Sequence, residues 1–282
     1  MNMKKNFARD LAIIVGSMAV FFIVVMIFPG IGEEPPYATV ASAVFAIYLG
    51  FAISGSRSRS EQVSELLKEH NGYVLIIYRL SEVFDAKIRK QIQNLIDNYL
   101  IEQIDYALDD FNLSEKSFKK LYEYLIHLPT KTKKQEGAYD NMIDVADDIS
   151  VTRTKVEALV RTKLSKVEWV ATLTFLVITV TVFYFMSDGS LINSIIYTVA
   201  VGAMVLLVII LKRSNSLKWD KNKWTWEPLR DLFINLDLIP YYPLDAVDRG
   251  EIILPKGEEV RAAKYFSPYP NVQNKEVKIL KL

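Results

Sequence analysis

Four stretches of this chain run for 17 residues or more without a single Asp, Glu, Lys, Arg or His: Leu11 to Phe28, Ala38 to Ser54, Val170 to Met186 and Leu191 to Leu211. A helix of roughly 17–25 apolar residues crosses a hydrocarbon layer about 30 Å thick, and it satisfies its backbone polar groups internally. Each run is therefore expected to be a membrane-spanning helix. The chain is 51% hydrophobic; a soluble core would spread that content over amphipathic elements instead of gathering it into blocks. Lys4, Lys5 and Arg9 ahead of the first run resemble the start of a signal peptide. The run is too long for such a peptide, however, and Phe28-Pro29-Gly30 offers no small-x-small cleavage site, so it reads as an uncleaved span.

The basic residues set the orientation. Lys4, Lys5 and Arg9, Arg57 and Arg59, Arg161, Lys163 and Lys166, and Lys212, Arg213 and Lys218 all flank one side of the spans. The two short loops on the other side, Pro29 to Tyr37 and Ser187 to Ser190, hold Glu33, Glu34 and Asp188 and no Lys or Arg. Positive charge stays on the cytoplasmic side, which places both termini inside. Tyr37, Trp169, Tyr184 and Trp219 fall at or near span ends, where interfacial aromatics sit.

The expected fold is an all-α integral membrane protein. A transmembrane hairpin (1–54) is followed by a cytoplasmic helical domain (55–167), a second hairpin (168–211) and a cytoplasmic C-terminal tail (212–282). In the inner domain, apolar residues spaced by three and four predict a helix through Val63, Leu66, Leu67, Val74, Ile77 and Leu80, with Asn71-Gly72 marking a site for a break or kink. A second helix runs from Lys87 to Leu108, and a third is capped by Ser114 and ended by Pro129. "TKTKKQEG" reads as a solvated loop. Periodicity resumes near Tyr139, and no Pro or Gly occurs from Ala138 through Met186. This predicts a rod of about 70 Å running straight into the third span. Of the tail, Pro228 fits the first turn of one short helix with Leu229, Leu232, Phe233 and Leu236 on a stripe. The rest, rich in Trp, Tyr and Pro, reads as ordered irregular chain, packed on its own helices in preference to serving as a docking surface.

Several chemistries are excluded. With a net charge of +1 there is no basic excess for nucleic acid. The chain has no cysteine, which removes disulfides and thiolate metal sites. His70 and His127 are the only histidines and have no ligand partner at motif spacing, and no P-loop, GxSxG or HExxH motif occurs. Asp140, Asp144, Asp147 and Asp148 cluster where acids favour a helix N-terminus, so no metal site is assigned to them. No cofactor and no enzymatic activity are expected. The absence of ionisable groups inside the spans argues against ion-coupled transport and leaves a passive pathway or a structural role.

The second span repeats Ala38, Ser42, Ala46, Gly50 and Ser54 every four residues, a small-residue stripe that lets helices approach closely. Beside it, Phe45, Leu49 and Ile53 are candidates for a hydrophobic constriction lining a pore. Thr172, Thr179 and Asn193 are candidates for a polar pathway, although threonine in a membrane helix usually bonds its own backbone.

The order of parts, with "EQVSELLKEHNGYVLIIYRLSEVFDAKIRKQIQNLIDNYL" and "TRTKVEALVRTKLSKVEWV", resembles the bestrophin-like family of prokaryotic membrane proteins and, more distantly, the bestrophin anion channels. The resemblance implies a homo-oligomer, pentameric as in bestrophins, in a prokaryotic plasma (inner) membrane. It further implies passive conduction of an anion such as chloride, with span 2 lining a central pore. The calcium clasp of animal bestrophins is not identified in this sequence, and the Asp140 cluster lies in a different place. The alternative is a non-conducting scaffold or signalling protein that binds a partner through its inner helices and aromatic tail.

Overall fold

The computed structural model describes residues 2–106, 108–217, 226–248, 252 and 257–281. Lys218, Trp219 and Trp224, which the sequence reading placed at or after the fourth span, lie outside them. The helices are α1 (Asn2–Ile27), α2 (Ala38–Leu80), α3 (Ala86–Asp105), α4 (Glu115–Ile126), α5 (Lys133–Arg161), α6 (Lys166–Met186), α7 (Leu191–Asn215), α8 (Glu227–Asn235) and α9 (Leu244–Asp248). Four of them, α1, α2, α6 and α7, are long and apolar enough to cross a membrane. The chain divides into two compact units, Met1–Ser60 with Lys163–Trp219, and Glu61–Thr162 with Asp220–Leu282.

In the first unit α1 packs along α7, and Gly202 sets how close they come. A Cβ at Gly202 would fall 2.5 Å from the Met18 sulfur. At one end of the unit, a Cβ on Gly30 would sit 2.1 Å from the Tyr184 carbonyl oxygen and 2.9 Å from those of Phe185 and Ser187. Only glycine lets that loop reach the end of α6, where the Gly32 N–H donates to the Phe185 carbonyl at 3.2 Å. The core holds Phe21 and Val25 of α1, Phe45 and Leu49 of α2, and Val201, Met204 and Leu211 of α7. Between helices in lipid such packing gains dispersion contacts, since lipid tails are as apolar as the side chains.

The second unit is a bundle of the end of α2 with α3, α4 and α5. Val74, Ile77, Ile92, Ile96, Leu121, Leu125, Met142 and Ile149 are fully buried in its core. Each side chain withdrawn from water there contributes about 1.5–3 kcal/mol. Asp85 caps α3 by accepting from the Ile88 N–H at 2.9 Å. Thr132 caps α5, accepting from the Gln135 N–H at 3.2 Å.

Several sequence expectations need correction. The predicted rod is broken: α5 ends at Arg161 and α6 begins at Lys166. No Pro or Gly is needed for this, because Ser165 and Glu168 form a reciprocal capping box that starts α6 afresh. Conversely α2 runs unbroken through Asn71-Gly72 as one 43-residue helix; a glycine weakens a helix without ending it when packing on the buried face continues. The "TKTKKQEG" stretch is helical from Lys133, because Thr132 supplies the cap.

The protein is also not all-α. β1 (Tyr241–Pro243), β2 (Glu259–Tyr265) and β3 (Lys275–Lys281) form a sheet in that order, with β1 parallel to β2 and β2 antiparallel to β3. In β2 the sequence "EVRAAKY" is poor in β-formers, and its pairing partners lie well away in sequence, so no local pattern announced it.

Candidate functional site

Within the first unit, span 2 turns two unlike faces to its surroundings. Phe45 and Leu49 are 3% and 2% exposed, packed among Phe21, Val25, Val201 and Met204, and Ile53 rests against the same cluster. These three were the sequence candidates for a pore constriction. Within the single chain Phe45 and Leu49 are enclosed by the first unit's own helices, and Ile53 keeps part of its surface open. Tyr48, on this side, donates to the Glu168 carbonyl at 3.1 Å and packs its ring on Phe175. The opposite arc is open. Of the small stripe, Ala38 is buried and Ser42 half-buried, whereas Ala46, Gly50 and Ser54 are exposed. Beside them Ala43 is exposed, with Ile47 at 60% and Phe51 at 75%.

The polar-pathway candidates are accounted for locally. Thr172 and Thr179 are buried and donate to the Glu168 and Phe175 carbonyls, each at 2.8 Å, one turn back on their own helix. Asn193 donates to Asp188 at 3.1 Å, and the same carboxylate accepts the Ser190 N–H at 2.9 Å, which holds the Asp188 carboxyl below its ordinary range. Sequence reasoning passed over three other hydroxyls. Ser187, Ser194 and Thr198 are buried and find no hydrogen-bond partner among the described residues.

The second unit holds a polar cluster inside its bundle. His70 of α2 is 1% exposed, and its Nε2 lies 2.7 Å from the Tyr99 hydroxyl of α3. Arg153 of α5, 7% exposed, donates through one Nη to Tyr99 at 2.7 Å and to the Ser114 hydroxyl at 3.1 Å. Its guanidinium lies over the rings of Tyr99, Phe111 and Phe118 at 5.3, 4.8 and 5.4 Å. Among the described residues no carboxylate pairs with it. Burial, reinforced by the Arg153 charge and opposed by a bond to Asn71, lowers His70 from 6.5 to about 4. Burial also pushes Tyr99 up to about 12.

A row of polar side chains on α3 receives the C-terminal segment. Gln93 donates to the Leu236 carbonyl at 2.6 Å. Asp97 takes a two-pronged bond from Arg261 at 2.7 and 2.6 Å. Asp105 accepts from Tyr241 and Tyr265, each at 2.6 Å, and pairs with Lys275. Burial and the Asp105 charge together push the Tyr241 phenol far up.

The remaining candidates are peripheral. Asp140, Asp144, Asp147 and Asp148 are all exposed, and among the described residues no group of acids and histidines is placed to hold a metal. His127 is exposed and bonds the Glu123 carbonyl.

Residues 34–213 match the family model of the Bestrophin-like domain. The chain belongs to the bestrophin-like family. It is a membrane protein, and four of its helices are long and apolar enough to cross a bilayer. The match takes in α2 to α7 and leaves α8 and the sheet outside. Solved structures show the same fold at low identity. The crystal structure of a bacterial bestrophin homologue from Klebsiella pneumoniae, a point mutant, has a TM-score of 0.59 at 12% identity, covering 81% of this chain and 97% of that one. A crystal structure of a mutant membrane protein aligns with a TM-score of 0.63, also at 12% identity, covering 83% of this chain and 99% of the other. No curated protein matches the sequence.

Proposed function

We propose that this bestrophin-like protein is an oligomeric, passive ion channel of a prokaryotic plasma membrane, conducting an anion such as chloride, with both termini in the cytoplasm. The observation that carries the reading is the open arc of span 2 in a chain of this family: Ala43, Ile47 and Phe51, four residues apart, are turned away from their own subunit. Four spans of one chain do not enclose a path, so conduction requires several copies, a pentamer by the family resemblance. In that assembly the open arc supplies the lining and Ile47 with Phe51 its apolar constriction. Spans without ionisable groups fit a passive path better than a coupled one. The orientation rests on the basic residues of one side. Against the scaffold reading stands the burial of Phe233, Tyr241 and Tyr242, which leaves fewer tail aromatics for a partner.

Liposomes holding the purified protein should pass chloride, and Ile47→Ala or Phe51→Ala should raise the flux. A well-inserted oligomer without flux, or a flux indifferent to both substitutions, would remove the channel or the lining respectively.

A further inference from the structure

The cluster around Tyr99 joins three helices through one oxygen. His70 comes from α2, Tyr99 and Gln103 from α3, and Arg153 from α5, with Phe111, Ser114 and Phe118 closing the sides. The contacts suit the imidazole tautomer with its hydrogen on Nδ1. Nδ1 lies 3.3 Å from the Asn71 side-chain oxygen and so carries the hydrogen. Nε2 is then the acceptor for the Tyr99 hydroxyl, and the Gln103 amide points at the same nitrogen at 3.2 Å. Tyr99 in turn accepts from Arg153.

The arrangement holds together only while the imidazole is neutral. A proton from solvent added at Nε2 removes the acceptor of both Tyr99 and Gln103. Imidazolium and guanidinium then compete for one phenolic oxygen. The groups facing His70 offer no compensation. On α2, Glu69 is exposed and engaged by Tyr73 at 2.8 Å. From α3 come Tyr99 and Gln103, from α5 Arg153, from the 108–114 turn Phe111 and Ser114, and from α4 Phe118. Asp110 of that turn is engaged by Tyr269. Among the described residues no carboxylate pairs with either cation.

We infer that the His70–Tyr99–Arg153 cluster is a proton-operated latch, which ties the end of α2 to α3 and α5 when His70 is neutral and releases it when His70 takes a proton. The inference does not depend on conduction, because its readout is local order within the second unit.

His70 and His127 are the only histidines, so a His127→Gln variant of the full-length protein carries a single imidazole. In detergent micelles its isotope-labelled resonance should titrate with a midpoint below about 5, far from the 6.5 of a free imidazole. The protection of backbone amides of α3 and of residues 61–80, taken against the intrinsic exchange rate at each pH, should fall about tenfold one pH unit below that midpoint. In His70→Gln, which cannot take the proton, the same amides should hold their protection over that range. A midpoint near 6.5 with unchanged exchange would overturn the latch, as would loss of protection at the same pH in His70→Gln. Should His70→Gln not fold, the His127→Gln protein decides alone. Coinciding midpoints for the resonance and the exchange support the latch, and separated midpoints overturn it.

Discussion

At the scale of single residues, burial separates side chains that sequence alone treats alike. Ile47 and Leu49 are neighbours of the same composition, yet one faces out and the other is enclosed. Leu49→Ala should cost about 2–4 kcal/mol through lost contacts and the cavity left behind, read as a lower thermal midpoint. Ile47→Ala should change stability by less than about 0.5 kcal/mol. His70 adds a pH dependence whose sign is fixed by its environment. The folded chain holds the imidazole neutral down to about 4 while the unfolded chain protonates it near 6.5. Stability should therefore be flat above 6.5, fall by on the order of 3 kcal/mol between 6.5 and 4, and level off below. Chemical unfolding at a series of pH values measures this, and His70→Gln should flatten that part of the curve. The cluster left a trace in the sequence. His70 continues the Val63, Val74, Ile77 face and Arg153 lies four residues after Ile149, so both interrupt apolar stripes. Their meeting at Tyr99 depends on three helices packing together and is not local information.

Elements were legible where their cause was local. The four spans and most of the inner helices followed from apolar runs and three-to-four spacing, because a helix is made of contacts within a few residues. The breaks were harder. Ser165 ends the expected rod through a cap that looks like any serine, and Gly72 interrupts nothing because its neighbours remain packed. Ser165→Ala should lower stability by about 1 kcal/mol. A Cβ at Gly72 meets nothing within 4 Å, so Gly72→Ala should stabilise by roughly 0.5–1 kcal/mol. Thermal unfolding of both variants checks the pair, and the opposite signs make the comparison sharp. The strands were illegible for the complementary reason: Tyr241 pairs with Arg261, and Arg261 with Ile279, so a three-residue β1 and a β2 with only Val260 and Tyr265 as strong β-formers declare themselves only through partners outside their own segments.

On the scale of the whole molecule, each unit is built from chain that is discontinuous in sequence. In the second unit Leu232, Phe233, Leu236, Tyr241 and Ala263 complete a core begun by α2 to α5. The row on α3 holds that segment in place. Arg261→Met leaves Asp97 partly buried without its cation, and should cost about 2–3 kcal/mol. Limited proteolysis should then cut within 226–281 faster than in the parent protein, while cutting elsewhere is unchanged.

The same closure has a consequence for synthesis. A ribosome releases α3 more than a hundred residues before Arg261 and Lys275 emerge, and spans α6 and α7 have to be delivered to the bilayer in between. Until then the nascent chain presents an unsealed apolar surface and unpaired carboxylates at Asp97 and Asp105. Contacts of that separation form late and leave aggregation-prone intermediates waiting. A chain lacking residues 226–281 would leave the core of α2 to α5 without Leu232, Phe233, Leu236, Tyr241 and Ala263, and Asp97 and Asp105 without their cations.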